Sequence, residues 1–280
     1  MALAFTLVSA AGLEVYAGGL GWKTIKGEVA IDSRMEDWKR GRYSLLKKVC
    51  HDHKDGHCNN VNPGTNFLII GDSHAPDVLT SFFVAAPQYN YILNSTGGCP
   101  PLAASDFAIL KPGHPDREKC IALNKQRSDP SYLKQFDVIA INVLYEWYRP
   151  EHLARYLSVL RDATRARIFL FGGFISLNRD CGLVALSGGL SRCFEAENIK
   201  SYRPFEDELE NIAKRYDVTF ISKSEIFCNR KQLSDCHTII SGVPATADKH
   251  HLTFEFAREM GLWIQKRFGR NYELRHTSPH

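Results

Sequence analysis

"NFLIIGDSHAPDV", residues 66–78, decides how this chain is read. Four apolar residues, Phe67 to Ile70, run straight into Gly71, Asp72, Ser73 and His74, and Pro76 follows. A short, continuous apolar run suits a strand covered on both faces. Proline is favoured in the first turn of a helix. The stretch therefore reads as a buried strand, a polar turn and a helix. Ser73 then has two readings. Ser73 or Asp72 caps the helix, as such residues commonly do. Alternatively, Ser73 is a nucleophile at the carboxyl end of a sheet, where the sites of open parallel sheets gather. A backbone N–H and a helix N-terminus would there stabilise an anion. The G-x-S-x-G elbow is not present, because Ala75 stands where its last glycine would be.

Outward from this stretch the pattern repeats. Strands are predicted at 66–70, 89–93, 136–144, 166–172 and 217–222, all short runs rich in Ile, Val and Phe. Helices are predicted between and after them. Residues 150–163 place Leu153, Tyr156, Leu157 and Leu160 on one face. Residues 205–216 group Leu209, Ile212 and Tyr216, with acidic residues early and basic residues late, as the helix dipole favours. Residues 253–268 form the last helix, with Thr253 as its expected N-cap. Alternation of strand and helix predicts a doubly wound α/β domain with a mainly parallel sheet. Its bounds are 65–270, after a lead-in at 18–64 that reads as irregular and before a tail at 271–280.

The 280 residues are 44% hydrophobic and 24% charged, ordinary for one folded domain. The net charge of +4 is spread along the chain, with no basic run interleaved with aromatics, so nucleic acid is not an expected partner. The eight cysteines fall as Cys50 and Cys58, Cys99 and Cys120, Cys181 and Cys193, Cys228 and Cys236. No C-x-x-C occurs. Neighbouring pairs in an even count predict four local disulfides and an oxidising compartment. Each loop would stabilise by about 2–3 kcal/mol in the chain-entropy model. The alternative is eight thiols in a reducing compartment. Within "CHDHKDGHC", Cys50, His51, His53, His57 and Cys58 could also bind a metal, but the cysteines are better used as a disulfide, and no metal site is expected. Residues 1–17 carry an apolar run broken by Glu14, too short to span a membrane alone. They lack the basic residues of a signal peptide, although Val8-Ser9-Ala10 is a weak cleavage site. They also fit the end of a longer membrane helix.

A nucleophilic serine needs a base, and the base an orienting group. "PATADKHHLTFEFA", residues 244–257, supplies both. Asp248 and His251 are three residues apart, so in a tight turn the carboxylate reaches Nδ1 and leaves Nε2 for a serine. His250 is the competing base. A polar loop before the last helix is the other reading of this run.

"GDSH" (71–74) and "DKHHL" (248–252) resemble the first and last blocks of the SGNH/GDSL hydrolase superfamily. "IIGDSHA", "GGCPPL" (97–102) and "DKHHLT" (248–253) resemble, more narrowly, the SGNH domain at the C-terminus of bacterial acyltransferase-3 membrane proteins. The resemblance implies a three-layer α/β/α sandwich with a flavodoxin-like, five-stranded sheet. It implies a catalytic Ser73, with His251 as base and Asp248 as orienter. The oxyanion hole would use the N–H groups of Ser73 and Gly98. The usual third block, G-x-N-D, is missing. Asn142, in "VIAINVLYEWY" (138–148), is either its counterpart in the oxyanion hole or a packing residue at a strand end. The implied activity is acetyl transfer to a surface polysaccharide such as lipopolysaccharide O-antigen through an acyl-serine. The chain itself would need no cofactor, its acyl group coming from acetyl-CoA through an acyltransferase-3 membrane domain, fused upstream or separate. The implied location is extracytoplasmic or periplasmic, tethered to the bacterial inner membrane. A stand-alone carbohydrate O-acetyl esterase is the alternative. A non-catalytic glycan-binding module is a third reading, and the presence of all three triad residues argues against it.

Overall fold

The computed structural model describes residues 34–50, 57–58, 64–110, 116–229 and 232–269. Two short helices come first, α1 (residues 34–41) and α2 (Ser44–Val49). Then follow β1 (His57–Cys58), β2 (Asn66–Gly71), α3 (Ala75–Ala85), β3 (Asn90–Ser95), α4 (Arg117–Gln126), α5 (Pro130–Leu133) and β4 (Val138–Asn142). The second half holds α6 (Pro150–Ala163), β5 (Arg167–Phe171), β6 (Ile175–Leu177), α7 (Cys181–Gly188), β7 (Ile199–Tyr202), α8 (Glu206–Arg215) and β8 (Thr219–Ile221). Last come α9 (Lys223–Phe227), β9 (Ile239–Ile240), β10 (Val243–Pro244) and α10 (Phe254–Phe268).

The main sheet has the order β1-β3-β2-β4-β5-β8. Five strands are parallel, and β1 adds a two-residue antiparallel edge. The five predicted strands are these five. Successive residues of β2 feed opposite faces, as a pleated strand requires. Phe67 and Ile69 join one core with Phe82, Phe171, Phe256 and Met260. Leu68 and Ile70 join the other with Ile141, Leu157, Leu160 and Leu209. Two cores on one sheet make three layers, and this explains why the strands read as continuous apolar runs.

Helix α6 has the predicted bounds, and its four predicted contact residues are fully buried. Helix α8 carries Glu206, Asp207 and Glu208 in its first turn and Lys214 and Arg215 in its last. Thr253 takes the N-cap position of α10 but does not cap it; its hydroxyl donates to the Pro244 carbonyl at 2.8 Å instead. The backbone of α10 presses on α3 at Gly261, where a Cβ would strike the Ser81 carbonyl.

All four disulfides form as neighbouring pairs, Cys50–Cys58, Cys99–Cys120, Cys181–Cys193 and Cys228–Cys236. Cys50 and Cys58 are thereby unavailable to a metal, and His51 and His53 lie outside the described residues. The lead-in differs from expectation. Residues 34–41 and 44–49 are helical, not irregular, and they dock on the domain through Met35, 1% exposed, and a Lys39–Asp180 ion pair of 3.4 Å. Each helix is only about two turns long, too short for its periodicity to stand out among the charges. The candidate membrane-helix end at 1–17 and the tail at 271–280 lie outside the described residues. No helix among the described residues is long and apolar enough to cross a membrane.

Candidate active site

Strand β2 ends at Gly71, opposite Asn142 of β4. A Cβ at Gly71 would collide with the Asn142 carbonyl, so only glycine lets the chain turn here. Asp72 braces the turn: Oδ1 accepts the His74 N–H at 2.9 Å and Oδ2 the Leu144 N–H at 3.0 Å. Burial raises the pKa of its carboxyl, with these two N–H groups pulling the other way. His74 is the N-cap residue of α3, and no side chain caps that helix. Neither Ser73 nor Asp72 is spent as a helix cap.

The Ser73 hydroxyl lies 2.8 Å from His251 Nε2, and His251 Nδ1 lies 2.6 Å from Asp248 Oδ2. With the Nδ1 proton given to Asp248, Nε2 is the acceptor for the Ser73 O–H. The other oxygen of Asp248 accepts the N–H groups of His250 and His251, each at 2.9 Å, and the Thr246 hydroxyl at 3.1 Å. This is the tight turn that D-x-x-H predicts. Burial pushes the Asp248 carboxyl up, but the His251 imidazole and the two N–H groups outweigh it and hold it well below the usual carboxylate range. His250 points elsewhere: its Nδ1 meets Nε2 of the buried His74 at 3.0 Å. Burial lowers the pKa of both, and the charge of His251 adds to it. The nitrogens of His74, His250 and His251 lie within 4.8 Å of one another, close enough to hold a metal ion, but each already faces a partner.

The loop that carries Gly98 follows β3, whose Ser95 pairs with Gly71. Three residues on, Gly98 has φ +66° and open space around it. Among the described residues, the N–H groups of Ser73 and Gly98 make no hydrogen bond, so both are available to a ligand oxygen. Asn142 is fully buried. Its amide donates to the His74 carbonyl at 2.6 Å and accepts from Lys223 Nζ at 2.8 Å. It braces the turn from behind and does not join the hydrogen-bond chain of Ser73, His251 and Asp248.

A family model described as "SGNH domain (fused to AT3 domains)" matches residues 46–265. This chain belongs to that family. The SGNH domain is an enzyme of a group that includes hydrolases and acyltransferases. The periplasmic domain of a lipopolysaccharide acetyltransferase from Salmonella ser. Paratyphi A is similar in structure. The TM-score is 0.60 at 18% identity, over 74% of this chain and 84% of that one. The aryl esterase of M. smegmatis matches with a TM-score of 0.42 at 16% identity, over 73% of this chain and 98% of that one. Est24, a carbohydrate acetylesterase from Sinorhizobium meliloti, matches with 0.42 at 12%, over 72% and 97%. At such identities the likeness is one of fold. No curated protein matches the sequence.

Three buried cations around the site are not marked in the sequence. Arg42, between α1 and α2, donates to the Ser73 carbonyl, to Asp77 Oδ1 at 2.6 Å and to the Tyr43 hydroxyl at 2.6 Å. Asp77 Oδ2 in turn accepts the Leu252 N–H at 3.3 Å, next to His251. Arg42 and Asp77 thus tie the serine turn to the histidine turn. Arg127 is fully buried and donates to the carbonyls of Gly71, Asn94 and Cys99 at 2.8, 2.7 and 3.1 Å, and to Asn94 Oδ1 at 2.7 Å. It ties the serine turn to the glycine loop. Lys223 supports Asn142, and burial pushes its pKa down to about 8. An arginine between two short helices and one at the end of a polar helix look like ordinary surface residues in sequence. Only their distant partners reveal them.

Proposed function

We propose that the chain transfers an acetyl group to a cell-surface polysaccharide, such as lipopolysaccharide O-antigen, through an acyl-Ser73 intermediate. The observation that carries this reading is the unbroken chain from Ser73 Oγ to His251 at 2.8 Å and on to Asp248 at 2.6 Å. Ser73 Oγ attacks the acyl carbonyl while His251 Nε2 takes its proton. Asp248, held ionised, stabilises the imidazolium. The N–H groups of Ser73 and Gly98 receive the oxyanion. His251 returns the proton to the leaving group, and an acyl-serine ester remains. A sugar hydroxyl then gives its proton to His251 and attacks the ester, and Ser73 regains a proton as it leaves.

Membership of a family fused to acyltransferase-3 domains supports such a membrane domain, fused or separate, as the route by which acetyl-CoA supplies the acyl group. Four disulfides support an oxidising compartment. The Salmonella neighbour, named as a periplasmic domain of a lipopolysaccharide acetyltransferase, supports a periplasmic site tethered to the inner membrane and a polysaccharide acceptor. The test offers p-nitrophenyl acetate with and without deacetylated polysaccharide and weighs acetylated sugar against free acetate. Acetylated sugar that disappears with Ser73→Ala is the expected outcome. Acetate alone, whatever the acceptor, makes the protein an esterase.

A further inference from the structure

A cavity of about 700 Å3 opens on the carboxyl edge of the sheet. One wall is Gly97 and Gly98. Trp147, Arg149, Glu151 and His152, which follow β4, also line the cavity. Arg127 donates both to the carbonyl of Cys99, which lines the cavity, and to that of Gly71, so the cavity lies beside the serine turn on the side of Gly98. Its volume falls in the range of ligand pockets, about 300–1,000 Å3, and far exceeds what an acetyl group needs.

Trp147 is 41% exposed and lines the cavity. Its exposure is imposed by a fixed frame. Tyr145 and Tyr148 on either side are 2% and 0% exposed. Their hydroxyls donate to the carbonyls of Phe171 at 2.9 Å and Pro101 at 2.6 Å. Pro150 then starts α6. Among the described residues no ring or guanidinium stacks on Trp147. The indole is therefore presented to the cavity from a fixed stretch of backbone. The Cys99–Cys120 disulfide lines the cavity beside it. Around the indole stand Arg117 and Arg149, and against them Asp116 and Glu151. Two charges of each sign, with Arg117 also paired to Glu118 at 2.8 Å, leave no net pull on a phosphate or carboxylate. An apolar plate with a balanced polar rim is the complement of a pyranose ring, which has an apolar C–H face and hydroxyls around its edge.

We propose that this cavity is the acceptor subsite, where a neutral pyranose stacks on Trp147 and offers a hydroxyl to acyl-Ser73. The proposal rests on the transferase reading and assigns its second substrate a place. The sugar oxygen bonds to the acyl carbon, the bond from that carbon to Ser73 Oγ breaks, and the hydroxyl proton passes through His251 to Ser73 Oγ.

The test has two arms, with methyl α-D-galactopyranoside and methyl α-D-mannopyranoside as probes. In the first, wild type, Trp147→Ala and Trp147→Phe receive p-nitrophenyl acetate plus pyranoside, and the ratio of acetylated sugar to free acetate is read. The expected result is a ratio lowered about tenfold in Trp147→Ala, the size of one lost stacking contact, and largely kept in Trp147→Phe. In the second, the Trp147 indole N–H resonance is followed in Ser73→Ala as pyranoside is added, and it is expected to shift saturably. An unchanged ratio together with an unmoved indole overturns the subsite and leaves the transferase reading standing. A shifting indole without acetylated sugar from wild type keeps the subsite and sinks the transferase reading. Selective loss of p-nitrophenyl octanoate cleavage in Trp147→Ala, with the ratio kept, marks an acyl-chain pocket and overturns the proposal.

Discussion

Two buried arginines grip the same turn from opposite sides, and they are supported differently. Arg42 serves the side of the histidine turn, with Asp77 as an ion-pair partner at 2.6 Å. Burial works against its charge, but Asp77 outweighs burial and raises its pKa. Arg127 serves the side of the Gly98 loop, and it donates to neutral carbonyls and amides and to the Cys99 sulfur. Burial pushes its pKa down to about 10. One side of the site is clamped by a charge pair and the other by a cation surrounded by dipoles. The first depends on keeping both partners, the second on geometry that only a planar guanidinium offers.

The largest expected effect comes from the atoms between the clamps. Ser73→Ala lowers kcat for acetyl-ester cleavage by about 10⁶-fold, the loss typical of removing a triad nucleophile, while thermal unfolding stays within a few degrees of wild type. Arg127→Met comes next. It strands several buried acceptors at about 1–3 kcal/mol each, so urea unfolding should show a loss of several kcal/mol. Arg127→Lys, a point charge without the fork, should recover less than half of that. Arg42→Met leaves Asp77 buried and unpaired, at a cost of about 3–5 kcal/mol. The double variant Arg42→Met, Asp77→Asn should recover a measurable part of this, and no recovery would remove the charge pair from the account.

Lys223 gives a pH signature. Its folded pKa, about 8, lies below the ordinary lysine value, so the unfolded chain binds more protons between the two. Stability contributed through Lys223 therefore rises as pH climbs from about 8 toward 10.5. Unfolding curves of wild type and Lys223→Met across that window should converge on this slope difference, and parallel curves would show Lys223 titrating normally. The smallest effect is at Thr253, where Thr253→Val removes one hydrogen bond to Pro244 and should cost about 1 kcal/mol in urea unfolding.

The strands and long helices were legible because their signals are local. Ile69 and Ile70 alternate faces within one strand, and Leu153 to Leu160 repeat within one helix. Neighbouring cysteines announced their own pairing. The turn at Asp248 to His251 closes within four residues, so its spacing alone suggested the contact. The arginines were not legible, because the partners that define them lie 31 residues away for Arg42 and Ser73, and 56 for Arg127 and Gly71. Thr253 was placed correctly but not bonded correctly, since Pro244 competes for its hydroxyl only in the folded chain.

The most direct test of the central claim is to treat the protein with a serine-reactive fluorophosphonate and read intact mass and adduct position. Wild type should gain one adduct, mapped to Ser73, and Ser73→Ala none, while His251→Ala should label far more slowly. Equal labelling of wild type and Ser73→Ala, or an adduct on another serine, would contradict the assignment of Ser73 as nucleophile.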